Sequence, residues 1–268
     1  MTCPRCISTF VLLAAFPLAF AATGVNAQDE TGTPTVESVL SDYVHALGGE
    51  MSLRSIGSMQ VTVERGATFG AGTTDTIVWS EGKFVVTVSR SGRERRSGFD
   101  GNVFWEQKKE EDGEPRLGER DLLTLEAAGI TPYVFLLLDY DGEVSQEGAA
   151  EIRDRKVWHL QFKPNNGRLI LHRYFDMENG LLICVDFTVN PDYKSPGGKR
   201  NDSGFGGGGG RLPLAFDWKD ESIDGLKMLK QTSVTYTDPD VGQLLDVVTS
   251  VELNPDVSKV EFTKPKDE

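Results

Sequence analysis

From Lys156 to Val189 apolar and polar residues alternate with a period of two. Trp158, Leu160 and Phe162 take one parity, against Val157, His159 and Gln161. Further on, Leu181, Ile183, Val185, Phe187 and Val189 take one parity, against Leu182, Cys184, Asp186 and Thr188. Arg168 to Asp176, between them, is less regular: Leu169, Leu171 and Phe175 fall on one side, Ile170 and Tyr174 on the other. Alternate residues of a strand point to opposite faces, so each segment predicts a strand with one face toward a core. The joining pairs Asn166-Gly167 and Asn179-Gly180 are residues that accept the left-handed backbone of a tight hairpin. The stretch predicts a three-stranded antiparallel meander.

The same period extends both ways. Met59, Val61 and Val63 alternate with Gln60, Thr62 and Glu64. Thr74 to Ser80 and Lys83 to Ser89 pair around Glu81-Gly82, with Phe84, Val86 and Val88 on one face. Arg93 to Phe99 and Val103 to Gln107 pair around Asp100-Gly101, and Glu143 to Ile152 gives a weaker strand signal. Leu214 to Glu221, Leu226 to Thr237 and Gln243 to Leu253 complete the series, turned at Asp224-Gly225, with Leu245, Val247, Val251 and Leu253 on one face. In the tail, Val260 and Phe262 offer a last apolar contact.

Helical spacing appears in three places. Val36, Val39, Leu40, Tyr43, Val44 and Leu47 recur on one side of a helix that opens at Thr33-Pro34, as N-cap and first turn, and stops at Gly48-Gly49. A further turn carries Leu53 and Ile56. Glu119 to Ala127 is amphipathic, and Thr131-Pro132 opens the dense apolar run Tyr133 to Leu138. The expected fold class is therefore mainly β with a few α-helices: one antiparallel sheet of about ten strands that curls, with helices over its concave face.

The first 27 residues stand apart from this pattern. Arg5 precedes a mostly apolar run from Ile7 to Ala22, and Val25-Asn26-Ala27 has the small residues of a cleavage site. These are the parts of a secretory signal peptide cut after Ala27, which predicts an exported protein whose single domain spans residues 28–268. Cys3 and Cys6 have C-x-x-C spacing but leave with the leader, so Cys184 is the only cysteine of the mature chain and no internal disulfide is expected. With 28 basic and 41 acidic residues the net charge is −13, which argues against a nucleic-acid partner because that needs basic patches. Residues 197–210 hold eight glycines, five of them consecutive. No G-x-x-x-x-G-K-[ST] phosphate loop is present, so residues 195–211 are expected to form a flexible insertion.

Four stretches resemble the LolA-like superfamily of exported bacterial proteins, which includes outer-membrane lipoprotein-sorting proteins. They are VLSDYVHALGGEMSLRSIGSM at 39–59, FDGNVFW at 99–105, RYFDMENGLLICVDF at 173–187 and FDWKDESIDGLKM at 216–228. The resemblance implies an unclosed β-barrel with a helical lid over an apolar cavity, a periplasmic location, and a carrier that holds lipid or lipoprotein acyl chains. It also implies envelope membrane proteins that load and unload the cargo. The glycine-rich insertion departs from the family pattern.

Chemistry-bearing constellations are sparse. No H-E-x-x-H or G-x-S-x-G occurs. His159 and His172 would approach each other if their strands pair, but lack a thiol or a recognisable carboxylate spacing to complete a metal site. Asp139, Asp141 and Glu143 lack the spacing of a calcium loop, and Arg93, Arg95 and Arg96 fit a solvated strand better than a head-group contact. The reading is non-enzymatic, with no cofactor and no metal. The ligand-lining candidates are Phe84, Val86, Trp105, Trp158, Leu160, Phe162 and Trp218 from the sheet, and Phe135, Leu136 and Leu137 from the lid. A lined cavity and a filled core use the same residue types. Two readings therefore stay open: an acyl-chain carrier, and an envelope interaction or sensor module with the same fold and a filled core. An uncharacterised hydrolase is a third.

Overall fold

Our computed structural model describes residues 32–65, 73–101, 104–106, 133, 142–165, 169–192, 211–236 and 243–263. The leader, both cysteines in it, the 119–127 helix, the insertion up to residue 210, the Asn166-Gly167 pair and the lid residues Phe135, Leu136 and Leu137 lie outside them.

Each alternating segment becomes a strand. In chain order these are β1 (Ser58–Arg65), β2 (Thr73–Ser80), β3 (Lys83–Arg90), β4 (Arg93–Phe99), β5 (Phe104–Glu106), β6 (Gly142–Ile152), β7 (Arg155–Pro164), β8 (Leu169–Asp176), β9 (Leu182–Val189), β10 (Arg211–Ile223), β11 (Leu226–Tyr236) and β12 (Gln243–Leu253). The described residues thus form twelve strands, in one antiparallel sheet ordered β5-β4-β3-β2-β1-β12-β11-β10-β9-β8-β7-β6. Two meanders meet where the first strand pairs with the last. The sheet stays open, and the chain between β5 and β6 joins its two free edges.

Turn chemistry explains several of the described hairpins. Glu81-Gly82, Ser91-Gly92 and Asp224-Gly225 have positive φ at both residues, as a two-residue hairpin matched to strand twist requires. Arg153-Asp154 does the same between β6 and β7, at φ 54° and 62°, without a glycine.

Among the described residues one helix covers the inner face. Helix α1 (Val36–Leu47) buries Val39, Tyr43 and Leu47 against Met59, Val61, Phe175 and Leu229 in the main core. Its N-cap is Thr35, not Thr33: the Thr35 hydroxyl accepts the Ser38 N–H at 3.2 Å, and Pro34 falls outside the helix. Gly48 ends the helix with φ 119°, and the Gly49 N–H returns to the Val44 carbonyl. The short α2 (Glu50–Arg54) follows and buries Leu53.

Two turns clamp α1 onto the sheet. A side chain at Gly48 would overlap the Gly225 carbonyl of the β10–β11 turn, and one at Gly180 would come within 2.9 Å of the Asp42 carbonyl on α1. Asp176 sets the second turn: its Oδ1 accepts the Glu178 N–H at 2.7 Å, and Arg155 Nη2 lies 2.6 Å from its Oδ2 as an ion contact outside good hydrogen-bond angles. Because Asp176 is buried, Asp176→Ala is expected to cost about 2–3 kcal/mol in chemical denaturation. A loss under about 0.5 kcal/mol would contradict that role.

Two bulges correct the strict alternation expected from sequence. In β9 the register against β8 shifts between Tyr174 and Phe175. Leu182 and Val185 therefore join the main core, while Ile183 and Cys184 cluster with Val157 on the outer face. In β12 a shift opposite Thr62 and Val63 turns Val248 inward and leaves Val247 exposed. The extra residue in each strand reverses parity beyond it.

Candidate functional site

The inner face of the sheet is the largest apolar surface that the fold builds. Met59, Val61 and Val63 of β1, Ile77 and Trp79 of β2 and Phe84 and Val86 of β3 continue into Leu160 and Phe162 of β7 and Phe216 of β10 as one cluster under α1. Trp158 and Trp218 pack against it half-buried. Six of the sheet residues expected on this face, Phe84, Val86, Trp158, Leu160, Phe162 and Trp218, are thus brought together.

Trp105 faces the other way, which corrects its expected direction. It pairs with Gly98, which pairs with Val85, and that row has the opposite parity to Phe84 and Phe99. Its indole N–H donates to the Phe262 carbonyl at 2.6 Å, and Arg96 donates to the Glu261 carbonyl at 3.2 Å, so the tail crosses the outer face of β4 and β5. Arg93 and Arg95 are exposed.

The described part of the β5–β6 connection is Tyr133, and it anchors that connection to the inner face. Tyr133 is fully buried, its hydroxyl oxygen accepts the Leu229 N–H, and its ring meets Trp218 edge-on at 5.7 Å. The Trp218 indole in turn donates to the Leu182 carbonyl at 2.8 Å. A cavity of about 230 Å³ lies between α1 and the β8–β9 turn, with Val39, Asp42, His45, Trp158, Phe175 and Glu178 among its walls. A second, open hollow of about 420 Å³ is bounded by Trp218, Lys219, Asp220, Glu221 and Lys230.

Three charged side chains share the apolar inner face. Asp75 has the parity of Ile77 and Trp79 and is 0% exposed; Arg65 Nε donates to its Oδ2 at 2.6 Å. Burial raises the Asp75 carboxyl above the usual carboxylate range, partly countered by the Arg65 charge and hydrogen bond. Arg173 has the parity of Leu171 and Phe175, pairs with Leu160 and Val185 on either side, and sets its guanidinium 4.4 Å from the centre of the Phe162 ring. The sequence carries their signal, a charge at the inward parity of an apolar strand, although alternation alone draws attention to the hydrophobic partners.

On the outer face the two strand histidines do meet. His159 Nε2 and His172 Nδ1 are 2.9 Å apart, His172 Nε2 is 2.9 Å from Thr188 Oγ1, and His159 stacks on Tyr174 at 4.6 Å. Among the described residues no group of three or more His, Cys, Asp or Glu is placed to hold a metal ion. Burial lowers the His159 pKa below the ordinary histidine value and His172 adds to this, against the opposing pull of Glu147 and Asp186. A histidine whose folded pKa is lowered takes up its proton more readily in the unfolded chain. Its contribution to stability is therefore full above about pH 6.5 and is lost as pH falls through the folded pKa. His159→Gln is expected to flatten that part of the stability profile, read by thermal melting across pH 5–8; an unchanged slope would contradict the assignment. Cys184 is buried and its thiol is pushed up to about 12 by that burial, which makes it inert as a nucleophile.

No family model and no curated protein matches the chain. Solved structures do. A LolA superfamily protein from Nitrosomonas europaea superposes with a TM-score of 0.56 at 12% identity, covering 86% of this chain and 98% of that one. A candidate outer-membrane lipoprotein-sorting domain from Vibrio parahaemolyticus gives 0.42 at 10% identity, over 79% and 93% of the two chains. A DUF1329 family protein from Desulfovibrio piger gives 0.42 at 10% identity, over 85% and 97%. The first of these likenesses establishes the fold.

Proposed function

We propose that this chain uses its LolA-like fold as an exported, periplasmic carrier that holds lipid or lipoprotein acyl chains between the sheet and its covering helices. The observation that carries the reading is the continuity of the inner apolar face, which runs from β3 through β1 and β10 to β7 under α1. A carrier of this kind needs no covalent chemistry. Each methylene moved from water onto such a face contributes about 0.8 kcal/mol, so an acyl chain is a sufficient ligand. Access would be between the 132–138 segment and the sheet, where Tyr133 is held by the Leu229 N–H and by Trp218. Phe135, Leu136 and Leu137 belong to that same segment. Release then requires a partner with higher affinity or an opening of the segment, a role for membrane proteins of the envelope.

A second reading has its own support. Met59, Val61, Ile77 and Leu160 are all fully buried in the structure, as expected of an interaction or sensor module whose core is filled. Displacement of a fluorescent fatty-acid probe separates the two. The carrier reading expects saturable binding that competing acyl chains reverse; a probe that stays in water at all protein concentrations would favour the filled core.

A further inference from the structure

On the carrier reading the ligand has a head as well as a tail, and the inner face holds a built acceptor for one. We propose that the Asp75 carboxylate, held by Arg65, takes a neutral hydrogen-bond donor, an amide N–H or hydroxyl, at the head of the acyl ligand. Asp75 sits inside an apolar row: Val63 lies opposite it on β1, Val88 opposite it on β3, and Ile77 is the next inward residue of its own strand. Its Oδ2 accepts from Arg65 Nε, but Oδ1 is buried without a hydrogen-bond partner among the described residues. A carboxylate oxygen withdrawn from water and left unpaired is costly, and a fold keeps such a group where something else supplies the donor.

The position fits a head group. Arg65 is one-third exposed while Asp75 is closed off, so the pair marks the rim where the inner face reaches solvent. A ligand head placed there directs its chain inward past Val63, Ile77 and Trp79, whose present side-chain cover has to part to admit it. Arg65 and Asp75 neutralise each other, and the atom left over is an acceptor. A neutral donor completes it, whereas a fatty-acid carboxylate would bring like charge against it.

The test compares lauroyl ethanolamide with laurate, which share one acyl chain, by displacement of a fluorescent acyl probe at neutral pH. The wild-type protein is expected to bind the ethanolamide about tenfold more tightly, the size of one hydrogen bond to a charged acceptor. In Asp75→Asn, whose side chain can turn either an N–H or an oxygen to the head, that preference is expected to vanish. Equal binding of the two ligands by the wild type, or a preference that survives in Asp75→Asn, overturns the head-group assignment and leaves the carrier intact. Failure of both ligands to bind overturns the carrier reading and this inference with it. The wild-type comparison decides the matter alone if the variant does not fold.

Discussion

Gly48→Val is expected to destabilise the protein by about 3 kcal/mol or more, enough to lower the melting temperature by roughly 10 °C. Two independent effects add at this residue. Its φ of 119° lies in the left-handed region that a β-branched residue rarely adopts. Its α-carbon also rests on the Gly225 carbonyl, where a side chain has no room. The C-terminus of α1 would have to lift from the β10–β11 turn. Thermal unfolding reads the result, and a variant melting within about 2 °C of the parent would show that the close approach does not hold α1 in place.

Tyr43→Ala is the second large effect, at about 3–5 kcal/mol. Tyr43 is the fully buried centre of the α1 face, and its ring meets Phe175 of β8 edge-on at 5.2 Å and 64°. Truncation removes the aromatic contact and leaves a void under the helix. Tyr43→Phe keeps the ring and is expected to lose much less, so the pair of variants separates packing from the hydroxyl. Equal losses in the two would place the effect in the hydroxyl instead.

Strand positions and most turns were legible because their causes are local. Glu81-Gly82, Asp100-Gly101, Asn179-Gly180 and Asp224-Gly225 each announce a hairpin, and alternation set the inward direction of Phe84, Val86, Leu160 and Phe162 correctly. The Arg153-Asp154 hairpin escaped because the pair lacks the glycine that marks the other turns. The bulges in β9 and β12 escaped because one extra residue, invisible in composition, reverses every later side chain. Trp105 escaped for a different reason. Val103-Phe104-Trp105 is apolar throughout, so no alternation assigns a face, and the Phe262 carbonyl that satisfies its indole is 157 residues away.

The candidate site shows the same division. The apolar wall was readable from parity, and so in principle were Asp75 and Arg173, charged residues at inward positions of apolar strands. Their pairing was not, because Arg65 and Asp75 meet only when β1 lies against β2. The clamps on α1 were also hidden. Gly48 reads as a helix stop and Gly225 as a hairpin glycine, and their contact spans most of the chain.

Whether the inner face receives an acyl chain is decided by native mass spectrometry of the protein purified without detergent. A carrier is expected to show a bound species whose mass matches a lipid or acylated molecule and which leaves on collisional activation. A spectrum showing only the bare polypeptide, with no adduct after incubation with acyl ligands, would contradict it.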